Sequence, residues 1–140
     1  MNFGESLTSL MFDREITSKM LASDIGVALS SVNRWKTGTI DIGLSYLLKL
    51  CKSFSCSLDY LVGKTERAIK ITNFQVENFG VQVRKVMKSK NISSYKLEKE
   101  TRYSGGFFTD WDNGSDPRLS TLLELANYFN CSLDELVGIE

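Results

Sequence analysis

The sequence predicts an all-α protein built as two tandem five-helix units, and three observations carry that prediction. The chain repeats itself: Ile16, Ser18, Leu21, Trp35 and Gly38 recur as Ile92, Ser94, Leu97, Trp111 and Gly114, each 76 positions on. Apolar residues in both copies recur every three or four positions, the period of a helix with one buried face. Threonine or serine stands before several of these runs and glycine after them, as helix starts and stops require. With 42% hydrophobic and 24% charged residues over 140 positions, the composition is that of a globular protein. Each half alone is close to the roughly 70 residues at which a single core becomes marginal. The halves are therefore expected to lean on each other or on a second chain, as a homodimer.

The first helix is expected from Asn2 to Phe12, with Phe3, Leu7, Leu10 and Met11 inward and Glu5 in the early turns, where the helix dipole favours an acid. Its counterpart runs from Asn78 to Lys88, where Asn78, Phe79, Gly80 and Met87 repeat Asn2, Phe3, Gly4 and Met11. The second helix runs from Thr17, as its N-cap, to Ile25, with Met20, Leu21 and Ile25 on one face. Ala22 leaves room for a close neighbour, and Gly26 makes the turn, because a left-handed backbone costs other residues about 1–2 kcal/mol. The third, Leu29 to Thr37, buries Val32 and Trp35 and leaves Leu29, Ser30, Asn33 and Arg34 outside before Gly38 closes it. The fourth, Leu44 to Phe54, turns Leu44, Leu47, Leu48, Cys51 and Phe54 inward. Its copy does so with Leu119, Leu122, Leu123, Leu125 and Phe129, after a loop one residue shorter. Ser57 caps a short last helix, Leu58 to Val62, and Ser132 with Glu135 is expected to form a reciprocal capping box.

Domains are accordingly placed at 1–66 and 78–140, with 67–77 as a connector. The segment from Lys64 to Glu77 has no glycine or proline and carries Ile69, Ile71, Phe74 and Val76 among polar neighbours, so it is read as extended or packed. Its eleven connector residues span at most about 36 Å, comparable to the ~34–36 Å between half-sites one turn apart on DNA.

Charge and composition exclude several functions. Seventeen Lys/Arg balance seventeen Asp/Glu, and the half up to Lys70 carries nine cations against seven anions while the rest carries eight against ten. Any affinity for nucleic acid must come from a local patch. Without histidine no Ser-His-Asp or Cys-His catalytic arrangement forms, so no enzyme is expected. Cys51, Cys56 and Cys131 match no zinc spacing and are read as core residues, with no metal and no cofactor. No basic-then-apolar leader and no long apolar run is present, so no membrane association is expected and the cytoplasm is the expected location.

Thr17, Leu21-Ala22, Gly26-Val27, Trp35 with Gly38, and Ser57-Leu58-Asp59 with Leu61 and Gly63 together resemble the Cro/C1/Xre-type helix-turn-helix domain, a lambda-repressor-like five-helix fold. The resemblance covers nearly the whole chain, twice. It implies sequence-specific binding of double-stranded DNA by a bacterial or phage transcriptional regulator of repressor type. Carried over by position, Thr17 would lie in the DNA-binding surface, Ser18 and Lys19 would meet phosphates, and Ala28, Leu29, Ser30 and Asn33 would face base edges and Arg34 a base or a phosphate. Lys36, Thr37 and Thr39 would line the adjacent backbone. Arginine can take guanine bidentately, asparagine adenine, and leucine a thymine methyl. Two departures stand in the first copy: Ser18 replaces the usual glutamine of helix two, and Ala28 replaces the usual capping serine.

The second copy departs further. Arg102 replaces the turn glycine, implying strain or a modified turn, and the reading helix becomes Gly105, Gly106, Phe107, Phe108, Thr109, Asp110, Trp111, Asp112. Asp110 and Asp112 stand where the first copy has Arg34 and Lys36, and two carboxylates facing phosphates would invert the electrostatic attraction. Ser94, Gly105, Gly106, Thr109 and Asp110 thus form a second surface for DNA or for protein. Two readings stay open. The C-terminal unit takes a second half-site or mediates dimerisation; alternatively the scaffold is a protein-binding inhibitor of antirepressor or anti-CRISPR type, its acidic second unit meeting a protein partner.

Overall fold

Side chains that accept the first free N–H groups set the helix starts. Asn2 accepts from the Glu5 N–H at 2.9 Å, Thr17 from Met20 at 3.1 Å and Ser57 from Tyr60 at 3.2 Å. The computed structural model describes residues 1–140 and divides into two units, Met1–Phe74 and Gln75–Glu140. The first holds α1 (Phe3–Asp13), α2 (Ser18–Ile25), α3 (Leu29–Thr37), α4 (Leu44–Phe54) and α5 (Leu58–Leu61). The second holds α6 (Phe79–Ser89), α7 (Ser94–Glu100), α8 (Gly105–Asp112), α9 (Leu119–Phe129) and α10 (Leu133–Val137). The fold is all-α, as the sequence predicts. Residues 64–78 form no helix, and Ile71 is buried among them.

Each unit closes around the predicted apolar faces. Leu7, Leu21, Val32, Trp35, Leu47, Phe54, Leu58 and Leu61 are buried in the first, and Val83, Leu97, Phe108, Trp111, Leu122, Phe129, Leu133 and Leu136 in the second. Full burial of such a side chain stabilises by roughly 1.5–3 kcal/mol. Three assignments shift. Met20 is 54% exposed and Leu123 38%, because one residue is 100° of rotation from Leu21 and Leu122, which hold the buried faces. In α4, Leu50 is fully buried while Leu48 is only half-buried. The capping box also forms by halves. Ser132 Oγ accepts from the Glu135 N–H at 3.0 Å, while the Glu135 carboxylate lies 3.9 Å from Lys90 Nζ instead of returning to Ser132.

The backbone repeats more faithfully than the residues. Left-handed Glu15 and Ser55 have counterparts in Asn91 and Asn130, with φ between 53° and 57° throughout. Gly26, at φ 83°, does not: Arg102 has no positive φ. The second turn is therefore modified, not strained. Helix α7 ends at Glu100, the Thr101 hydroxyl donates to the Leu97 carbonyl at 2.7 Å, and Thr101 Oγ1 accepts the Tyr103 N–H at 3.1 Å.

The first and third helices of the first unit cross closely enough to exclude a side chain at Gly4, while in the second unit the Asp112 side chain lies over Gly80. A Cβ on Gly4 would overlap the Lys36 carbonyl, and one on Gly80 would overlap the Asp112 carboxylate. Asn78 strengthens the second crossing: its Oδ1 accepts from the Gly80 N–H at 2.9 Å and its Nδ2 donates to the Trp111 carbonyl at 2.9 Å. Alanine at position 4 gains about 1 kcal/mol of helix propensity and meets backbone that cannot retreat, an overpacking cost of about 1–3 kcal/mol or more. Gly4→Ala is expected to lower stability in urea denaturation. Gly106→Ala, which meets nothing nearer than 4.0 Å, is expected to raise it by about 0.5 kcal/mol.

Candidate nucleic-acid interface

In the first unit, burial of Leu21, Ala22 and Ile25 on α2 and of Val32 and Trp35 on α3 fixes which residues turn outward. Thr17, Lys19, Ala28, Leu29, Ser30, Asn33, Arg34, Thr37 and Thr39 are exposed, and Ser18 and Lys36 are half-buried. All the predicted first-unit residues thus lie on α2, α3 or the segments flanking them. Leu29 is 46% exposed, an apolar side chain at the start of a polar face. Ala28 stands at the N-cap of α3 with no side-chain bond.

Hydrogen-bond accounting sorts these residues. The Thr37 hydroxyl lies 3.1 Å from the Asn33 carbonyl and 3.3 Å from that of Arg34, and the Thr39 hydroxyl lies 3.4 Å from the latter. Each hydroxyl has one proton, so neither can donate to a phosphate without releasing the end of α3. Lys36 Nζ donates to Ser18 Oγ at 3.0 Å, joining the end of α3 to the first turn of α2. Lys19, Arg34 and Lys36 enter no ion pair.

The second unit treats its charges differently. Five ion pairs form within it: Arg84–Asp112, Lys85–Glu77, Lys90–Glu135, Lys96–Glu100 and Arg102–Glu124. Asp112 does not face outward as an unpaired carboxylate. It is held bidentately by Arg84 of α6 at 2.7 and 2.8 Å, and the guanidinium lies 4.9 Å from the Phe108 ring. Arg102 meets Glu124 at 3.1 Å and lies 5.0 Å from the Tyr103 ring, while the buried Tyr103 hydroxyl donates to Glu124 at 2.9 Å. Burial raises the Tyr103 phenol above its ordinary range.

Helix α8, with the first residue of α7, carries the second predicted surface. Ser94, Gly105, Gly106, Thr109 and Asp110 are all exposed. Phe108 and Trp111 face the core, Phe107 is half-buried, and its ring stands edge-on to Tyr103 at 4.8 Å. Glu98 reaches across from α7 to accept the Gly105 N–H at 3.1 Å, and Thr109 donates to the Gly105 carbonyl at 3.0 Å. Sequence reasoning missed Glu98, Arg84 and Glu124. The one signal for Glu98 was a glutamate at the position of the buried Ala22.

A family model described as Cro/C1-type HTH DNA-binding domain matches the chain twice, over residues 6–63 and 82–140. No curated protein and no solved structure matches. No helix is long and apolar enough to cross a membrane.

The hydrogen bonds from Arg84 lower the Asp112 pKa, and those from Arg102 and then Tyr103 lower that of Glu124. Both carboxyls therefore bind protons less readily folded than unfolded. The stability they contribute is complete above the unfolded carboxylate range near ~4 and is lost as pH falls through their depressed folded values. In urea denaturation stepped from about pH 6 to pH 2.5, the wild type is expected to lose stability below about pH 4 more steeply than Asp112→Asn/Glu124→Gln. Parallel profiles would show that the two pairs contribute nothing.

Proposed function

We propose, since the chain belongs to the Cro/C1-type helix-turn-helix DNA-binding family, that it is a sequence-specific transcriptional regulator of repressor type whose first unit reads the major groove of double-stranded DNA. Lys19, Arg34 and Lys36, free of any carboxylate beside exposed Asn33, Ser30 and Leu29, are the observation that carries this reading. Cations without internal partners keep their full attraction for phosphate, the term that supplies most non-specific affinity. Arg34 and Asn33 then supply the discrimination, since a bidentate contact to a base is worth about 1–3 kcal/mol. Thr17, Ser18 and Lys19 hold phosphates, Ala28 and Leu29 approach base edges, and Thr37 and Thr39 shape the end of the helix.

The second unit is assigned a protein contact, either self-association into a homodimer or a separate partner, in preference to a second half-site. This is supported by Arg84 and Arg102 both being tied to carboxylates and by exposed Asp110 standing where the first unit has Arg34. The domains are taken as 1–66 and 78–140 with 67–77 as connector, the protein acts in the cytoplasm of a bacterium or a phage-infected cell, and it performs no catalysis. A protein-binding inhibitor of antirepressor type is the second reading, favoured by the same acidic surface.

Selection of bound sequences from random DNA tests the assignment. The wild type is expected to enrich one motif, Asn33→Ala/Arg34→Ala to lose it with a roughly 10- to 100-fold weaker affinity, and Thr109→Ala/Asp110→Ala to retain it. A wild type that enriches nothing and shows no salt-sensitive binding would leave the protein-binding reading standing.

A further inference from the structure

The groove between the first and last helices is filled in one unit and open in the other. In the second unit Gln82 of α6 reaches the end of α10, where its Nε2 donates to the Glu135 carbonyl at 3.1 Å. Its amide lies 2.9 Å from where a Cβ on Gly138 would stand. In the first unit Ser6 stands at the place of Gln82 and Gly63 at that of Gly138. The two glycines share a left-handed backbone, φ 84° and 86°, so the frame is the same and only the plug is missing. Serine is too short to fill it. An open-sided cavity of about 360 Å³ is left beside α1, α5 and the residues that follow α5.

Its chemistry is polar and anionic. Ser6 is buried, only 7% exposed, and its hydroxyl has no hydrogen-bond partner in the protein, opening onto the cavity instead of being sealed in the core. A hydroxyl taken from water without a partner is costly, so this one is a built acceptor and donor for whatever enters. Asp13 and Glu66 also line the cavity, both exposed and neither in an ion pair. No lysine or arginine lines it, and buried Leu10 supplies an apolar wall. The volume lies at the small end of the ~300–1,000 Å³ typical of small-molecule sites.

We infer that this cavity binds a small organic cation, an ammonium on a short alkyl stem. The ammonium has three N–H donors and no acceptor, and Ser6 Oγ with the Asp13 and Glu66 carboxylates provides acceptors for it, while the stem lies against Leu10. Gln82 shows the second unit supplying from within what the first leaves to a ligand: an N–H donor on a flexible stem. The site goes beyond the DNA reading and does not depend on it.

The test follows the amide NMR resonances of the full chain as n-butylammonium is added, with n-butanol and butyrate as neutral and anionic probes of matching stem. Butylammonium is expected to shift Ser6, Ser9 and Gly63 saturably and to leave Gln82 and Gly138 unmoved. Butanol is expected to bind about threefold to tenfold more weakly, the range of two exposed ion pairs, and butyrate not at all. Asp13→Asn/Glu66→Gln, which alters only exposed side chains, should remove the advantage of the ammonium over butanol. Ser6→Ala should weaken binding about threefold to tenfold, the range of one hydrogen bond. Ser6→Gln, which rebuilds the plug of the second unit, should abolish the shifts, with unchanged amides on α2 and α3 showing that it folds. Equal binding of butylammonium and butanol, shifts that survive Ser6→Gln in the folded variant, or no saturable shift in the wild type overturns the inference.

Discussion

Burial of one tryptophan on the third helix of each unit sets the rotation of that helix, and everything the helix presents follows from it. Trp35 and Trp111 are almost fully enclosed, Trp35 tilted on Tyr46 at 5.5 Å and Trp111 edge-on to Phe79 at 4.9 Å. An indole of this size is worth several kcal/mol when buried, far more than any preference among the polar residues beside it. With Trp35 and Val32 pinned inward, the 3.6-residue period turns Ser30, Asn33 and Arg34 outward and leaves Leu29 at the edge of the buried face. Close approach at Gly4 lets the first helix lie against the end of the third in the first unit.

That constraint fixes the scaffold and leaves its charges free to diverge. In the second unit, Arg84, Lys85, Lys90, Lys96 and Arg102 all meet carboxylates, and Glu98 occupies the amino end of α8. In the first, the cations around α3 meet none. Exposed ion pairs add little stability, so this pairing matters chiefly for what each surface offers a partner. A guanidinium already neutralised by Asp112 or Glu124 attracts a phosphate weakly, whereas Arg34 and Lys19 attract it fully. The same fold can thus carry two different surfaces, which is why family membership alone does not assign a task to each unit.

The helices, their caps and the buried faces were legible in the chain because they depend on local spacing. Thr17, Gly26, Gly38 and Ser57 act within three or four residues of themselves, and the repeat doubled every one of these signals but that of Gly26. Met20 and Leu123 were misplaced because a one-residue rotation separates a buried position from an exposed one, and hydrophobicity does not record which of two adjacent apolar residues a neighbouring helix will cover. Arg102 was legible as a departure but not as a solution, since the turn is rebuilt through the hydroxyl of Thr101.

The sequence by itself determined two all-α units, their helix limits and the set of residues left outside the third helix, because periodicity and capping are written over short distances. Only the tertiary structure decided what those residues touch. Asp112 reads as a phosphate-repelling carboxylate until Arg84, 28 positions away, is brought within 2.7 Å of it. Lys36 reads as one cation among several until Ser18, 18 positions away, accepts a hydrogen bond from its ammonium. Charge is a property of a residue, but whether that charge is spent inside the protein or offered outside it depends on which helices meet, and no local pattern records that.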